Sequence, residues 1–147
     1  MFFVRGRRRK SAIGATGLTV ALMSLPAAGA PPGMVTVELN RLDDQSGGCR
    51  ASFVIANPGA EAYAGFRLDL VIFDRGGTIA RRLAADVAPL RAEKTTVKIF
   101  DIPETPCAGI GSILINDVLD CRDGGGLVAD CVARVGTLSK LPVALIK

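Results

Sequence analysis

Phe66-Arg67-Leu68-Asp69-Leu70-Val71-Ile72-Phe73-Asp74-Arg75-Gly76-Gly77 alternates side-chain character and then stops on paired glycines. In an extended chain Phe66, Leu68, Leu70 and Ile72 share one face, while Arg67 and Asp69 share the other and are expected to meet water. Asp74-Arg75-Gly76-Gly77 reads as a hairpin turn, because glycine supplies the positive φ that such turns require. The stretch is a half-buried strand entering a hairpin, and residues 78–87 are its expected return.

The same pattern extends in both directions. Residues 35–39 alternate, with Val35, Val37 and Leu39 on one face, and Asp43-Asp44-Gln45-Ser46-Gly47-Gly48 is a turn. Residues 49–56 form a second strand with Ala51, Phe53 and Ile55 aligned, ended by Asn57-Pro58-Gly59. Residues 89–94 read as a loop and residues 95–100 as another alternating strand. Pro103 and Pro106 break the next stretch. Residues 112–119 carry Ile113, Ile115 and Val118; a short helix also fits their spacing, but Gly109 and Gly111 and the β-branched residues favour a strand. Arg122-Asp123-Gly124-Gly125-Gly126 is a second turn, residues 129–138 are the last strand, and residues 141–146 extend along an edge. About seven short strands at intervals of roughly 8–12 residues predict an all-β chain, specifically an immunoglobulin-like antiparallel β-sandwich.

The chain begins with a different composition. Arg5, Arg7, Arg8, Arg9 and Lys10 form a basic head, residues 11–25 are mildly apolar, and Pro26-Ala27-Ala28-Gly29-Ala30 ends in small residues. Residues 1–30 are therefore expected to be a cleaved signal peptide, with the exact cut left open between Gly29 and shortly after Ala30. Adjacent arginines before a Gly-rich stretch suggest the twin-arginine (Tat) route, although Lys10-Ser11-Ala12 stand where bulky apolar residues are usual, so the general secretory route stays open. Residues 31–147 are then a single exported domain, periplasmic or secreted, with no stable membrane span after cleavage. Of 18 Lys+Arg, five lie in the leader, while all 14 Asp+Glu lie from Glu38 onward. The remaining 13 positive and 14 negative groups give a domain without the basic surplus that nucleic-acid phosphates require.

Four cysteines in a small exported chain read as two disulfides. Three pairings are possible, and topology selects among them. In a meandering sandwich the second and sixth strands run the same way, so Cys49 and Cys107 start at one end. Cys121 closes the sixth strand, and Cys131 follows it across a Gly-rich turn. The expected bonds are Cys49–Cys107 and Cys121–Cys131. A core with no Trp, one Tyr and six Phe, two of them in the leader, gains from such staples.

The chain has no histidine, which removes Ser-His-Asp and Cys-His catalysis as well as His-ligated metals and haem. No phosphate-cradling glycine motif is present, and no cofactor or catalytic residue is expected. Asp117, Asp120, Asp123 and Asp130 gather around the last turn and are the candidate ion ligands, against a reading as solvated loop charges. Asp69 and Asp74 would lie about 17 Å apart along a strand, farther than the separation of about 10 Å within which glycosidic carboxylates work. Arg81-Arg82 is a candidate anion patch or an edge guard.

The stretch from Phe66 to Gly77, with Ala88-Pro89-Leu90-Arg91-Ala92-Glu93-Lys94-Thr95, resembles the FxLYD-type exported immunoglobulin-like domains. Their pattern is an alternating strand ending in aromatic-Asp-x-x-Gly, a return strand, and a Leu-x-x-Gly-x turn; here Ala92 and Glu93 replace the turn glycine. From Val35 through Phe100-Asp101, Asn116-Asp117-Val118-Leu119 and Cys121, the chain also resembles small uncharacterised bacterial exported proteins that carry a twin-arginine signal. Both resemblances imply a sandwich, the second a periplasmic setting, and neither brings catalytic residues.

These readings lead to a non-enzymatic module for protein binding or assembly, working by contact with a periplasmic protein partner. Leu141, Val143 and Leu145 are its candidate partner edge, with a simple packed tail as the alternative; on the edge reading a domain lacking residues 141–147 is expected to fold. The alternatives are a carboxylate-based ion- or ligand-binding protein or enzyme, and a thiol-disulfide redox protein. Oligomeric state is left open.

Overall fold

The expected hairpin is formed by β3 (Gly65–Asp74) and β4 (Ile79–Asp86) in a computed structural model that describes residues 33–147. The proposed leader, residues 1–30, lies outside the described residues. Asp74 closes the turn: its Oδ1 accepts the backbone N–H groups of Gly76 at 2.8 Å and Thr78 at 2.9 Å. A short Asx acceptor beside paired glycines is the turn chemistry that the sequence implied.

Seven further strands complete an all-β sandwich: β1 (Val35–Gln45), β2 (Gly48–Asn57), β5 (Lys94–Pro103), β6 (Ile110–Asp123), β7 (Gly126–Leu127), β8 (Val135–Ser139) and β9 (Ala144–Ile146). One sheet has the order β5-β2-β1-β8. The other has the order β4-β3-β6-β7, with β9 also on β6. Both sheets are mixed: β1 pairs with β8 in parallel, as β6 does with β9, and the other pairings are antiparallel. The C-terminal segment thus departs from a purely antiparallel meander, because it passes from one sheet to the other.

Alternation places the core. Val35, Val37 and Leu39 of β1, Ala51, Phe53 and Ile55 of β2, and Phe66, Leu68, Leu70 and Ile72 of β3 are all buried between the sheets. Ile110, Ile113 and Ile115 of β6 close them over from the second sheet. Each such aliphatic or aromatic side chain contributes about 1.5–3 kcal/mol by leaving water. Tyr63 meets Phe66 edge-on, with ring centroids 5.2 Å apart.

Residues 110–123 are a strand, preceded by one 3-10 turn at Cys107–Gly109. Gly111, Asn116 and Leu119 are extra residues in β6 opposite β3. A Cβ on Gly111 would stand 2.4 Å from the Asp74 carbonyl oxygen, so this bulge needs glycine. The expected strand over residues 129–138 is shorter in the fold. Asp130 takes a left-handed φ of 51° and starts a 3-10 turn, Cys131–Arg134, before β8 begins. No helix among the described residues is long and apolar enough to cross a membrane.

Candidate functional site

Cys49 is bonded to Cys107 and Cys121 to Cys131, leaving no free thiol. The first bond fastens the start of β2 to the turn before β6, spanning 58 residues of sequence; the second spans 10. Gly48 permits the first arrangement, since a Cβ there would lie 2.1 Å from the Ile102 carbonyl oxygen of β5. Cys49, Cys121 and Cys131 are buried in the core. Two disulfides fit an oxidising compartment.

The carboxylates proposed as ion ligands are engaged separately. Asp120 holds Arg122 through both oxygens at 3.0 Å, Asp117 accepts the N–H of Val118, and Asp123 accepts that of Gly125. Asp130 marks the left-handed start of a turn. Among the described residues no group of three or more Cys, Asp or Glu side chains is placed to hold a metal ion. Proximity in sequence does not become a shared site here: Asp120 is taken up by Arg122, and Asp117 and Asp123 each turn onto a backbone N–H beside them. Arg81-Arg82 is likewise no free anion patch, since Arg81 pairs with Glu104 and Arg82 with Asp69.

Asp69 departs from expectation most instructively. It lies on the outward face of β3, yet it is 3% exposed. Arg82 on β4 grips both of its oxygens at 2.8 and 2.6 Å, and Asn116 of the β6 bulge donates to it at 2.7 Å. The Arg82 hydrogen bonds hold the Asp69 carboxyl below the usual carboxylate range; burial pushes it upward, and Asn116 adds to the lowering. A depressed folded-state value means that the unfolded chain binds the proton more readily. The associated stability is therefore complete above the unfolded carboxylate value of about 3.9 and drains away as pH falls through the folded one. Asp69→Asn is expected to lose about 1–2 kcal/mol at pH 7. In urea titrations from pH 7 to pH 2, the gap to the parent should narrow below about pH 4; a constant gap would refute this role.

The C-terminal candidates are placed unevenly. Leu145 is buried at 5% exposure, and Leu141 and Val143 pack against the core. Ile146 faces outward at 45% exposure. This segment is a structural strap as well as a strand on an edge of the second sheet.

A different surface stands out on β5, an edge strand of the first sheet. Its core-facing side is set by Phe100 and Ile102, which pair with Ala51 and Cys49 of β2. Phe100 packs on Phe53, with ring centroids 6.1 Å apart. Alternation then turns Val97 and Ile99 to water, at 60% and 58% exposure. Val97 lies opposite Val54, and Val54 opposite Glu38, which pairs in turn with Leu138, another exposed aliphatic residue. Thr36, Ser52, Ala56 and Thr95 extend the same outer face by register. The Arg50–Asp101 pair borders it at one end, and Glu38, 3.9 Å from Lys140, lies within it between Val54 and Leu138. The result is an outer face of aliphatic and small residues with one carboxylate among them. Sequence reading identified the strand but not its facing, because Val97 and Ile99 form one apolar phase and Phe100 and Ile102 the other. The available signal was Phe100 and Ile102, whose larger bulk competes for the core in the opposite phase.

Compared with protein-family models, with curated proteins and with solved structures, the chain matches none.

Proposed function

We propose that this chain is an exported, disulfide-stapled binding or assembly module of the bacterial periplasm, acting by contact and not by catalysis. The observation that carries the reading is the outward placement of Val97 and Ile99 on an edge strand beside Val54. Folding leaves these side chains in water at a cost of hydrophobic free energy that a partner surface recovers on binding. Exposed aliphatic side chains beside a few polar and charged groups are usual in a protein–protein contact. A chain without histidine and with individually paired carboxylates favours contact over turnover. Export rests on the basic head, apolar stretch and small-residue end of the leader, and two disulfides agree with it. The FxLYD resemblance, with its immunoglobulin-like topology, belongs to the same reading.

Val97→Lys with Ile99→Lys is the direct test. Both positions are exposed, so stability should change by no more than about 0.5 kcal/mol. A photocrosslinking side chain at Val97 should capture a defined envelope protein, and the double lysine variant should lose that protein from crosslinking and mass spectrometry. A crosslinker at Ala84, on the outer face of the other sheet, serves as the control. Equal capture from both positions, or full retention in the lysine variant, would sink the proposal.

A further inference from the structure

The opposite side of the same edge strand is chemically distinct. Lys94, Thr96 and Lys98 of β5 and Pro89, Leu90 and Arg91 of the preceding loop line a cleft of about 270 Å³. Three of its six lining residues are cations and none is an acid. Of the 13 basic residues in 33–147, six are in ion pairs: Arg41, Arg50, Arg81, Arg82, Arg122 and Lys140. Arg91, Lys94 and Lys98 are among the others, and the fold draws these three to one hollow. The nearest acids in sequence turn elsewhere: Asp86 accepts the Ala88 N–H, and Glu93 lines the neighbouring hollow with Lys94.

The loop that presents Arg91 is tied down at several points. Tyr63 and Leu90 exchange backbone hydrogen bonds at 2.8 and 2.9 Å. Buried Asn57 donates to the Arg91 carbonyl at 3.1 Å, and Glu93 N–H donates to the Gly59 carbonyl at 3.0 Å. Lys98 Nζ donates to the Ala88 carbonyl at 3.0 Å, which fixes its ammonium at the wall and leaves further N–H donors free. A cationic hollow on a held loop is pre-organised, so little ordering is needed when an anion arrives.

We infer that this cleft binds a phosphate group. A tetrahedral dianion offers several acceptor oxygens to one guanidinium, two ammonium groups and the Thr96 hydroxyl, whereas a carboxylate offers one charge and two oxygens. The volume is below the roughly 300 Å³ at which pockets begin to enclose whole drug-sized ligands, and it fits a head group. The same dianion arrives as a free phosphate monoester or as the monoester head group of phosphatidic acid. The site lies on the core-facing side of β5, away from Val97 and Ile99, so this inference and the proposed function fail independently.

Amide NMR of the disulfide-intact protein, titrated with inorganic phosphate against sodium chloride at matched ionic strength, is the test. Saturable shifts confined to residues 57–63 and 88–98 are expected. Arg91→Gln with Lys94→Gln and Lys98→Gln should weaken binding at least tenfold at unchanged melting temperature, and Lys94→Arg with Lys98→Arg should retain it. A second arm uses phosphatidylcholine vesicles with and without phosphatidic acid. Sedimentation that requires phosphatidic acid and is lost in the Gln variant assigns a lipid head group; phosphate binding without sedimentation assigns a soluble ester. Shifts equal to those in chloride, or a Gln variant that titrates like the parent, would overturn the site.

Discussion

Serine at both Cys49 and Cys107 is expected to lower folding stability by about 4 kcal/mol, whereas serine at both Cys121 and Cys131 should cost about 3 kcal/mol. The ranking follows from loop length. The first bond joins residues 58 apart and the second residues 10 apart, and a longer closed loop removes more conformational freedom from the unfolded chain. For a domain of this size the first loss corresponds to a melting temperature lower by about 15 °C. Both bridges join the two sheets: the long one connects the start of β2 to the entry of β6, and the short one connects β6 to the turn that enters β8. Asp44 Oδ1 accepts the Cys107 N–H at 3.2 Å beside the long bridge. Chemical unfolding of the two double-serine proteins under identical conditions checks the order. If the short-loop variant were the less stable, loop closure would not be the leading contribution of these bonds.

The strand at residues 66–73 was readable because one period held across it and a strong turn came after it. Leu68, Leu70 and Ile72 entered the core in phase, and Arg67 stayed exposed. Asp69 was not readable, since its burial is made by Arg82 from the next strand and by Asn116 from a bulge distant in sequence. Bulges explain much of what was lost. Each extra residue at Gly111, Asn116 and Leu119 reverses the facing of the β6 residues beyond it, and period-two patterning carries no marker for it. On β5, alternation left two apolar phases, Val97 with Ile99 and Phe100 with Ile102, and the second took the core. Glu93, standing where the resembled pattern has glycine, adopts φ 52°, so the turn keeps a glycine-like backbone without the residue. The phosphate cleft was invisible in composition, because a domain with 13 positive and 14 negative groups gives no hint that three cations meet.

Removal of residues 141–147 is expected to cost more than about 4 kcal/mol, a large share of the roughly 5–15 kcal/mol available to a domain. As a surface edge the segment would be dispensable for folding; as a packed tail it would not. In the fold, Leu145 is 5% exposed and sits in the core cluster, with Leu141 and Val143 packed against it. β9 adds parallel pairing to Ser112, Ile113 and Leu114, and the Ser139 hydroxyl donates to the Val143 carbonyl at 2.6 Å. Lys147 Nζ donates to the carbonyls of Val132 and Val135, tying the chain end back to the start of β8. The segment therefore laces β8 of one sheet to β6 of the other, and its loss opens the core along that side. Leu145→Ala alone should cost about 2–4 kcal/mol through the cavity it leaves. Ile146→Lys, at an outward position, should leave stability within about 0.5 kcal/mol. The pair separates strap from docking edge: lost partner capture in the Ile146 variant at full stability assigns contact to β9, whereas retained capture leaves that role with Val97 and Ile99. A truncated protein that unfolds at the same urea concentration as the full chain would overturn the strap, since neither Leu145 nor the β6 pairing would then hold the sheets together.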